Sequence, residues 1–165
     1  MEFLVLNWQR LVDLTLDLSL MVKESGYRPD SIIAILRGGG YIVGKLVSDF
    51  LGIDDLVVLG LVSYGTKIGQ GEEPVVTYPI IRDLRGGKSV LVVDDVADTG
   101  KTLATARDLT RFYGAREVRV ATLYVKPGRG SSLITTLASR ISGFYSHGRL
   151  VRSLGTRPRA QTLNP

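Results

Sequence analysis

Short apolar segments rich in valine and isoleucine alternate with segments of helical periodicity as far as residue 125. The run Ser-Ile-Ile-Ala-Ile-Leu at residues 31–36 is typical of a strand buried on both faces. Asn7 suits the N-cap of a first helix, which Gly26 would end. Further helices are predicted over residues 41–51 and 100–113, and strands over residues 31–36, 56–62, 75–81, 89–93 and 117–125. This alternation predicts one α/β domain, with a mostly parallel central sheet and helices on both faces, whose ligands bind beyond the carboxyl ends of the strands.

The composition excludes several classes of site. The chain has 165 residues and no cysteine, which excludes disulfides, thiolate zinc sites, iron–sulfur clusters and a cysteine nucleophile. Its one histidine, His147, excludes a metal site built from several histidines and argues against a Ser-His-Asp triad. The apolar runs are too short to cross a membrane and the first residues carry no basic leader, so we expect a cytoplasmic protein with no membrane partner.

Positive charge is concentrated at the C-terminus. The formal net charge is +5, yet the 37 residues from Arg129 to Pro165 contain six arginines and no lysine, aspartate or glutamate. The first 128 residues therefore hold 15 basic and 16 acidic side chains. A near-neutral domain (residues 1–128) followed by a basic tail (residues 129–165) describes this pattern better than a protein that binds nucleic acid over its whole surface.

Residues 90–102 combine a strand, two acids and a turn suited to phosphate. They read Val-Leu-Val-Val-Asp-Asp-Val-Ala-Asp-Thr-Gly-Lys-Thr, so a buried strand ends in Asp94 and Asp95 and the turn opens a helix. The N–H groups and dipole of a helix start, with hydroxyls and an ammonium nearby, suit a phosphate group. Adjacent carboxylates suit a pair of ribose hydroxyls, directly or through Mg²⁺ and its waters. The alternative is a solvated acidic turn with an N-cap.

Two similarities to the Walker-type phosphate loop each fail at one position. The ending Gly-Lys-Thr at residues 100–102 lacks the glycine five positions earlier, where Asp95 stands. The run at residues 39–45 is followed by leucine instead of the hydroxyl residue that would bind Mg²⁺. We therefore interpret Gly44 and Lys45 as residues of a helix.

On these residues, the chain resembles the type I phosphoribosyltransferases. Residues 92–102 are similar to that family's motif for 5-phosphoribosyl 1-pyrophosphate (PRPP). Leu-Arg-Gly-Gly at residues 36–39 resembles the pyrophosphate loop, and Ser-Tyr at residues 63–64 resembles the start of the flexible catalytic hood. Leu-Tyr-Val-Lys-Pro at residues 123–127 resembles the strand end where a lysine meets a purine 6-oxo group. The resemblance runs from Pro29 to Pro127 and implies the type I phosphoribosyltransferase fold with a flexible hood loop.

The resemblance implies how PRPP would be held. Asp94 and Asp95 would hold the ribose hydroxyls and would assist Mg²⁺ binding, mainly through PRPP and water. The PRPP-binding residues after the acid pair would be Ala97, Asp98, Thr99, Gly100, Lys101 and Thr102.

The resemblance also implies candidate catalytic and base-binding residues. Arg37 and Gly38 would donate to pyrophosphate, and Tyr64 would close over the reacting centre. Asp98 would accept the proton of the purine, which makes Arg37, Tyr64 and Asp98 the candidate catalytic residues. Lys126 would bind the base, because an ammonium donates to a 6-oxo group and disfavours the amino group of adenine. The alternative for Lys126 is a surface lysine before a turn proline.

The tail departs from the family. Related purine enzymes of this size follow the Lys-Pro segment with Pro-Asp-Tyr or Pro-Asp-Phe, and some end with Phe-Pro-Trp-Glu, but neither motif occurs here. Residues 132–137 and 144–149 can be encoded so that one neighbouring reading frame gives both motifs. One hypothesis is a frameshift between Pro127 and Ser132, which the nucleotide sequence tests. The other is a natural basic extension that binds an anionic partner.

The resemblance implies a purine-salvage enzyme. It would transfer the 5-phosphoribosyl group from PRPP to a purine base, preferably a 6-oxopurine, with Mg²⁺, giving a nucleoside monophosphate and pyrophosphate. It also implies a homodimer or a higher homo-oligomer. One alternative is a regulator of the same fold that senses PRPP and binds nucleic acid, and another is an inactive relative. The near-neutral domain and the lack of a helix-turn-helix pattern argue against nucleic acid as a partner.

Overall fold

The computed structural model describes residues 7–36, 38–62 and 74–125, together with the backbone of residues 143–147. The elements are α1 (Trp8–Glu24), β1 (Ser31–Leu36), α2 (Gly40–Leu51), β2 (Leu56–Val62), β3 (Val75–Tyr78), β4 (Ser89–Ala97), α3 (Lys101–Phe112), β5 (Glu117–Val125) and β6 (Gly143–His147). Asn7 caps α1 as expected, since its side-chain oxygen accepts the Arg10 N–H at 2.8 Å.

The strands form one sheet in the order β3-β2-β1-β4-β5-β6. Every adjacent pair is parallel except β2 and β3, which are antiparallel. The predicted α/β fold with a mostly parallel sheet is therefore confirmed. Because β1, β2, β4 and β5 run the same way, their carboxyl ends share one edge of the sheet, where ligands bind in folds of this kind.

Helices cover both faces of the sheet, as predicted. Helices α1 and α2 pack on one face, where Leu18 and Val47 meet Ile32 and Leu91 of the strands. Helix α3 packs on the other face, where Leu103 and Ala106 join the core. Consecutive residues of β1 and β4 point to opposite faces and are buried on both, which explains their unbroken apolar sequences.

Two predicted strand ends are wrong. Strand β3 ends at Tyr78 instead of residue 81, because Pro79 has no N–H to continue the ladder and the chain turns there, with Ile80 in the core and Ile81 92% exposed. Strand β4 continues to Ala97 instead of ending at residue 93, because β5 offers partners as far as Val125.

The interpretation of Gly44 and Lys45 as helix residues is confirmed. Both lie in α2, and Lys45 forms an ion pair with Asp49 one turn later. A Cβ on Gly44 would come within 2.5 Å of the Ala34 Cβ, so the glycine lets α2 lie directly on β1. The position serves packing and not a phosphate loop.

Strand β6 lies within residues 129–165, for which the sequence predicts a basic tail and no strand. Its backbone pairs in parallel with β5, with Gly143 opposite Val120 and His147 opposite Tyr124. The rest of the tail and the predicted hood loop lie outside the described residues, except Pro74, and the boundary at residue 128 stays a prediction. In the described part of the chain, no helix is both long and apolar enough to cross a membrane.

Asp55 joins the amino ends of the central strands. Its carboxylate accepts hydrogen bonds from Ser31 Oγ at 2.5 Å and Lys88 Nζ at 2.9 Å, and it pairs with Arg82 at 3.1 Å. Burial alone would raise the pKa of Asp55, but the Ser31 and Lys88 hydrogen bonds and the charges of Lys88 and Arg82 outweigh it and lower that pKa. The network stabilises the edge opposite the acid pair.

We expect Asp55→Asn to lower the free energy of unfolding at pH 7 by about 1–3 kcal/mol, because a partly buried cluster of donors loses its charged acceptor. The folded-state pKa of Asp55 is lowered, so its stabilisation is present above the pKa of the unfolded state and is lost as pH falls through the folded-state value. Urea unfolding of both proteins from pH 7 down to pH 2.5 measures the difference, which should shrink at the acid end. Asp83→Asn is the control, since the exposed Asp83 pairs with Arg85 only two residues away. An Asp55→Asn penalty that is independent of pH would contradict the prediction.

Candidate active site

The two predicted acids lie within β4, near its carboxyl end. Asp94 lies opposite Thr122 of β5 in the sheet and is only 7% exposed, whereas Asp95 is half-buried. The Asp95 N–H donates to Asp94 Oδ1 at 3.0 Å, which fixes the first carboxylate against the backbone. The alternative of a solvated acidic turn is therefore wrong, because the acids belong to a paired strand and one of them is in the interior.

Burial of Asp94 changes its ionisation. Loss of hydration raises the pKa of Asp94 to about 8, and the neighbouring charge of Asp95 acts in the same direction. The hydrogen bond from the Asp95 N–H opposes this shift and does not cancel it. In the protein without ligand, Asp94 is therefore largely protonated at neutral pH, whereas a donor or cation brought by a ligand would favour its charged form.

Three consecutive glycines, Gly38 to Gly40, lie against the acid pair, and each is required for a different reason. Gly38 has φ +86°, a left-handed conformation that other residues rarely adopt. Gly39 has an ordinary φ of −78°, but a Cβ there would come within 2.5 Å of Asp95 Oδ2. Gly40 begins α2, and its Cβ would lie 2.5 Å from the Ile35 carbonyl oxygen and 2.7 Å from Asp94 Oδ1.

The glycine loop, residues 38–40, is also hydrogen-bonded to the acid pair. The Gly39 N–H donates to Asp95 Oδ2 at 3.1 Å, across 56 positions of sequence. Strands β1 and β4 are adjacent and parallel, so the loop after β1 and the acids of β4 meet at the same edge. The predicted pyrophosphate-binding Gly38 and the predicted ribose-binding Asp95 are thus brought together.

The predicted phosphate turn connects β4 to α3. Asp98 and Thr99 are exposed, and Gly100 has φ +79°, which places the first helical residue at Lys101 instead of the predicted Gly100. Thr99 Oγ1 accepts a long hydrogen bond of 3.4 Å from the Lys101 N–H. The turn follows the acid pair directly, since Ala97 ends β4. The N-terminal N–H groups of α3 therefore lie at the same edge as the acids, as the phosphate-binding role requires.

Three predicted site residues, Arg37, Tyr64 and Lys126, lie outside the described residues, and their roles stay predictions. Leu36 ends β1 immediately before Arg37, and Val125 ends β5 immediately before Lys126. Sequence reasoning missed the contacts of Gly39 and Gly40 with the acid pair.

The acid pair fits Mg²⁺ only as part of a ligand set. Among the residues that the structure describes, no three acidic, histidine or cysteine side chains converge on one point. Mg²⁺ is commonly bound by one or two carboxylates together with substrate phosphates and water, so Asp94 and Asp95 suit a metal that arrives with a phosphorylated substrate.

Comparison with known proteins identifies the family. A sequence model of the phosphoribosyl transferase domain matches residues 5–140. The chain belongs to the phosphoribosyltransferase family. Its fold is that of the type I enzymes: the solved structure of purine phosphoribosyltransferase from Pyrococcus horikoshii superimposes with a TM-score of 0.66 and 37% identity, over 77% of this chain and 80% of that one. A hypothetical protein from Neisseria gonorrhoeae with bound ppGpp gives a TM-score of 0.66 at 25% identity, over 86% of this chain and 80% of that one.

Curated relatives are more distant. Hypoxanthine phosphoribosyltransferase of Haemophilus influenzae is 26% identical over 120 residues, which cover 73% of this phosphoribosyltransferase and 66% of the relative. The hypoxanthine phosphoribosyltransferase of Escherichia coli is 25% identical over the same shares. The chain thus matches slightly less than two thirds of the length of these relatives.

Asp94→Asn should stabilise the metal-free phosphoribosyltransferase at alkaline pH. The folded-state pKa of about 8 lies above the usual aspartate value, so the wild type loses stability as pH rises between the two, while asparagine keeps an oxygen for the Asp95 N–H and does not titrate. Melting temperatures measured in EDTA from pH 4.5 to pH 8.5 should diverge with rising pH, with the variant higher. Asp108→Asn on α3 is a control at an exposed acid. Parallel pH profiles for Asp94→Asn and the wild type would contradict the prediction that Asp94 is a buried carboxyl group with a raised pKa.

Proposed function

We propose that this phosphoribosyltransferase transfers the 5-phosphoribosyl group from PRPP to a purine base, preferably a 6-oxopurine, in cytoplasmic purine salvage. One observation carries the proposal: the Asp94–Asp95 pair lies within hydrogen-bonding distance of the glycine loop and directly before the turn to α3. Carboxylates for ribose hydroxyls, a helix start for the 5′-phosphate and a backbone loop for pyrophosphate are thus adjacent. The similarity to purine and hypoxanthine phosphoribosyltransferases supports the purine as acceptor.

The reaction forms one bond and breaks one at the anomeric carbon. A nitrogen of the purine bonds to this carbon, the bond to the pyrophosphate oxygen breaks, and the base loses a proton. Positive charge develops on the ribosyl group and negative charge on pyrophosphate, so donors preorganised around the leaving group lower the barrier. Arg37 and Gly38 would supply these donors, and Asp98 would accept the proton. Tyr64 would help to exclude water, which otherwise hydrolyses PRPP.

We propose that Mg²⁺ accompanies PRPP. Asp94 and Asp95 would hold it mainly through water and substrate oxygens, where it would neutralise charge on pyrophosphate. A divalent charge nearby would also keep Asp94 ionised, in contrast to its protonated form in the free protein.

The choice of base would depend on Lys126. An ammonium donates to a 6-oxo group, and it lacks an acceptor for the amino group of adenine, so hypoxanthine, guanine and xanthine would be preferred. We also propose a homodimer or a higher homo-oligomer, and no role for nucleic acid. A PRPP-sensing regulator and an inactive relative are the other outcomes of the experiments below.

A panel of bases tests the proposal. The purified protein is incubated with PRPP and Mg²⁺, and nucleotide formation is followed from hypoxanthine, guanine, xanthine, adenine, uracil and orotate. We expect turnover with 6-oxopurines and a loss of discrimination against adenine in Lys126→Ala. Turnover only with adenine or a pyrimidine would reject the base assignment. PRPP binding without turnover of any base would reject the enzyme in favour of the sensor or the inactive relative.

Asp98→Asn should lower kcat about 10²–10⁴-fold, because the variant cannot accept the proton of the base. The affinity for PRPP should change little, since asparagine keeps the size and an oxygen of aspartate. As a control, Asp108→Asn removes another exposed carboxylate, which lies within α3 and not in the turn before it, and it should leave kcat unchanged. Equal kcat values for Asp98→Asn and the wild type would assign proton removal to another group.

A further inference from the structure

The hydrogen bond between Gly39 and Asp95 connects the loop assigned above to pyrophosphate with an acid assigned to the adjacent ribose hydroxyls. We propose that Asp95 is a positioning residue for the pyrophosphate loop, in addition to its role toward ribose. Its carboxylate holds the glycine loop in the conformation that receives pyrophosphate, so one side chain couples the ribose and pyrophosphate subsites. This inference rests on the proposed function for the identity of the two subsites.

The hydrogen bond has the features of a restraint. Gly39 N lies 3.1 Å from Asp95 Oδ2, and Asp95 is half-buried, so water competes less for the carboxylate than at an exposed position. Strand β4 is the sheet neighbour of β1 and is paired on its other side with β5, which gives Asp95 a rigid support. The glycine loop has one residue with positive φ, Gly38, and it is held at Gly39 both by this contact and by α2, whose Val43 N–H donates to the Gly39 carbonyl oxygen at 3.0 Å.

The glycine at position 39 is a second consequence of the same contact. Gly39 has φ −78° and ψ −12°, which any residue can adopt, so backbone conformation does not require glycine there. A Cβ would meet three atoms of one side chain, Asp95 Oδ2 at 2.5 Å, Cγ at 3.0 Å and Cβ at 3.1 Å. The three atoms nearest to such a Cβ thus all belong to Asp95, whose carboxylate occupies the space next to the loop.

Electrostatics and positioning predict opposite effects of removing this carboxylate. Pyrophosphate is a polyanion, so loss of a nearby negative charge would by itself tighten its binding. If Asp95 positions the loop, its removal loosens the loop and weakens pyrophosphate binding in spite of the lost charge. Asparagine separates the two effects, because its amide oxygen accepts the Gly39 N–H without a charge.

The test compares Asp95→Ala and Asp95→Asn with the wild type by calorimetric titration of pyrophosphate, which has no ribose, with Mg²⁺ and again in EDTA. We expect Asp95→Ala to weaken pyrophosphate binding at least fivefold in both buffers. Asp95→Asn should weaken it less, and should stay within twofold of the wild type in EDTA, where no Mg²⁺ depends on the carboxylate charge. Asp49→Ala removes one negative charge from the exposed side of α2 and should leave the binding unchanged. Hydrogen exchange of the Gly39 amide should accelerate in Asp95→Ala and not in Asp95→Asn.

Unchanged or tighter pyrophosphate binding by Asp95→Ala would overturn the inference. Equal weakening in both variants would also overturn it, since that pattern indicates a metal-bound charge instead of a loop restraint. The same holds if the wild type binds no pyrophosphate. Failure of the proposed function is read separately, from wild-type turnover of the base panel, because the expected pyrophosphate and exchange pattern supports the restraint whether or not a base reacts.

Discussion

The parallel pairing of β1 with β4 is the interaction on which the site depends. Ile32 lies opposite Leu91 and Ala34 opposite Val93, and both strands end at the same edge. The chain leaves β1 through the glycine loop and leaves β4 through the acids and the turn to α3. Two segments that are 56 residues apart in sequence thereby come within a hydrogen bond of each other. Helices α1 and α2 on one face and α3 on the other bury these central strands, so the sheet that forms the core also assembles the site.

The site is assembled at a cost to stability. Asp94 is a buried acid, and loss of hydration together with the neighbouring charge of Asp95 raises its pKa to about 8. Asp55 at the opposite edge is also partly buried, yet Ser31, Lys88 and Arg82 contact it and its pKa is lowered. Burial raises the pKa of a carboxyl group and hydrogen bonds or positive charges lower it, so the pKa of Asp94 is raised and that of Asp55 is lowered. A carboxyl group whose pKa is raised in this way gains from donors and cations that a ligand supplies.

The sequence predicts those elements whose bounds depend on local residue pattern. It fails at the end of β3, where Pro79 interrupts the strand, and at the strand bounds that depend on pairing with a distant partner. The bounds of β1, β2 and β5 are as predicted, because β1 and β2 are apolar runs and β5 is rich in valine, with polar or glycine residues next to each strand. The end of β4 depends on partners in β5, and the pairing of β6 with β5 is a tertiary event with no local signal. The motif identified Asp94, Asp95 and the turn to α3, whereas the contact of Gly39 with Asp95 is visible only after β1 and β4 are paired. The three consecutive glycines at residues 38–40 are the one sequence feature that points to this contact. Their interpretation as a turn explains the positive φ of Gly38, but it does not explain the closeness of Gly39 and Gly40 to the acids.

The domain that contains the site carries almost no net charge. The first 128 residues hold one more acidic than basic side chain, and the site itself contains adjacent carboxylates. A general positive field therefore does not attract a polyanion to this domain, and the excess of arginine lies in the last 37 residues. Under the proposed function, binding of a pyrophosphorylated ligand would rely on oriented backbone N–H groups, on Arg37, on the start of α3 and on any metal that the ligand brings. Such donors act only over short distances and only in the correct orientation. The position of the glycine loop relative to Asp95 thus matters more for this site than the net charge of the chain.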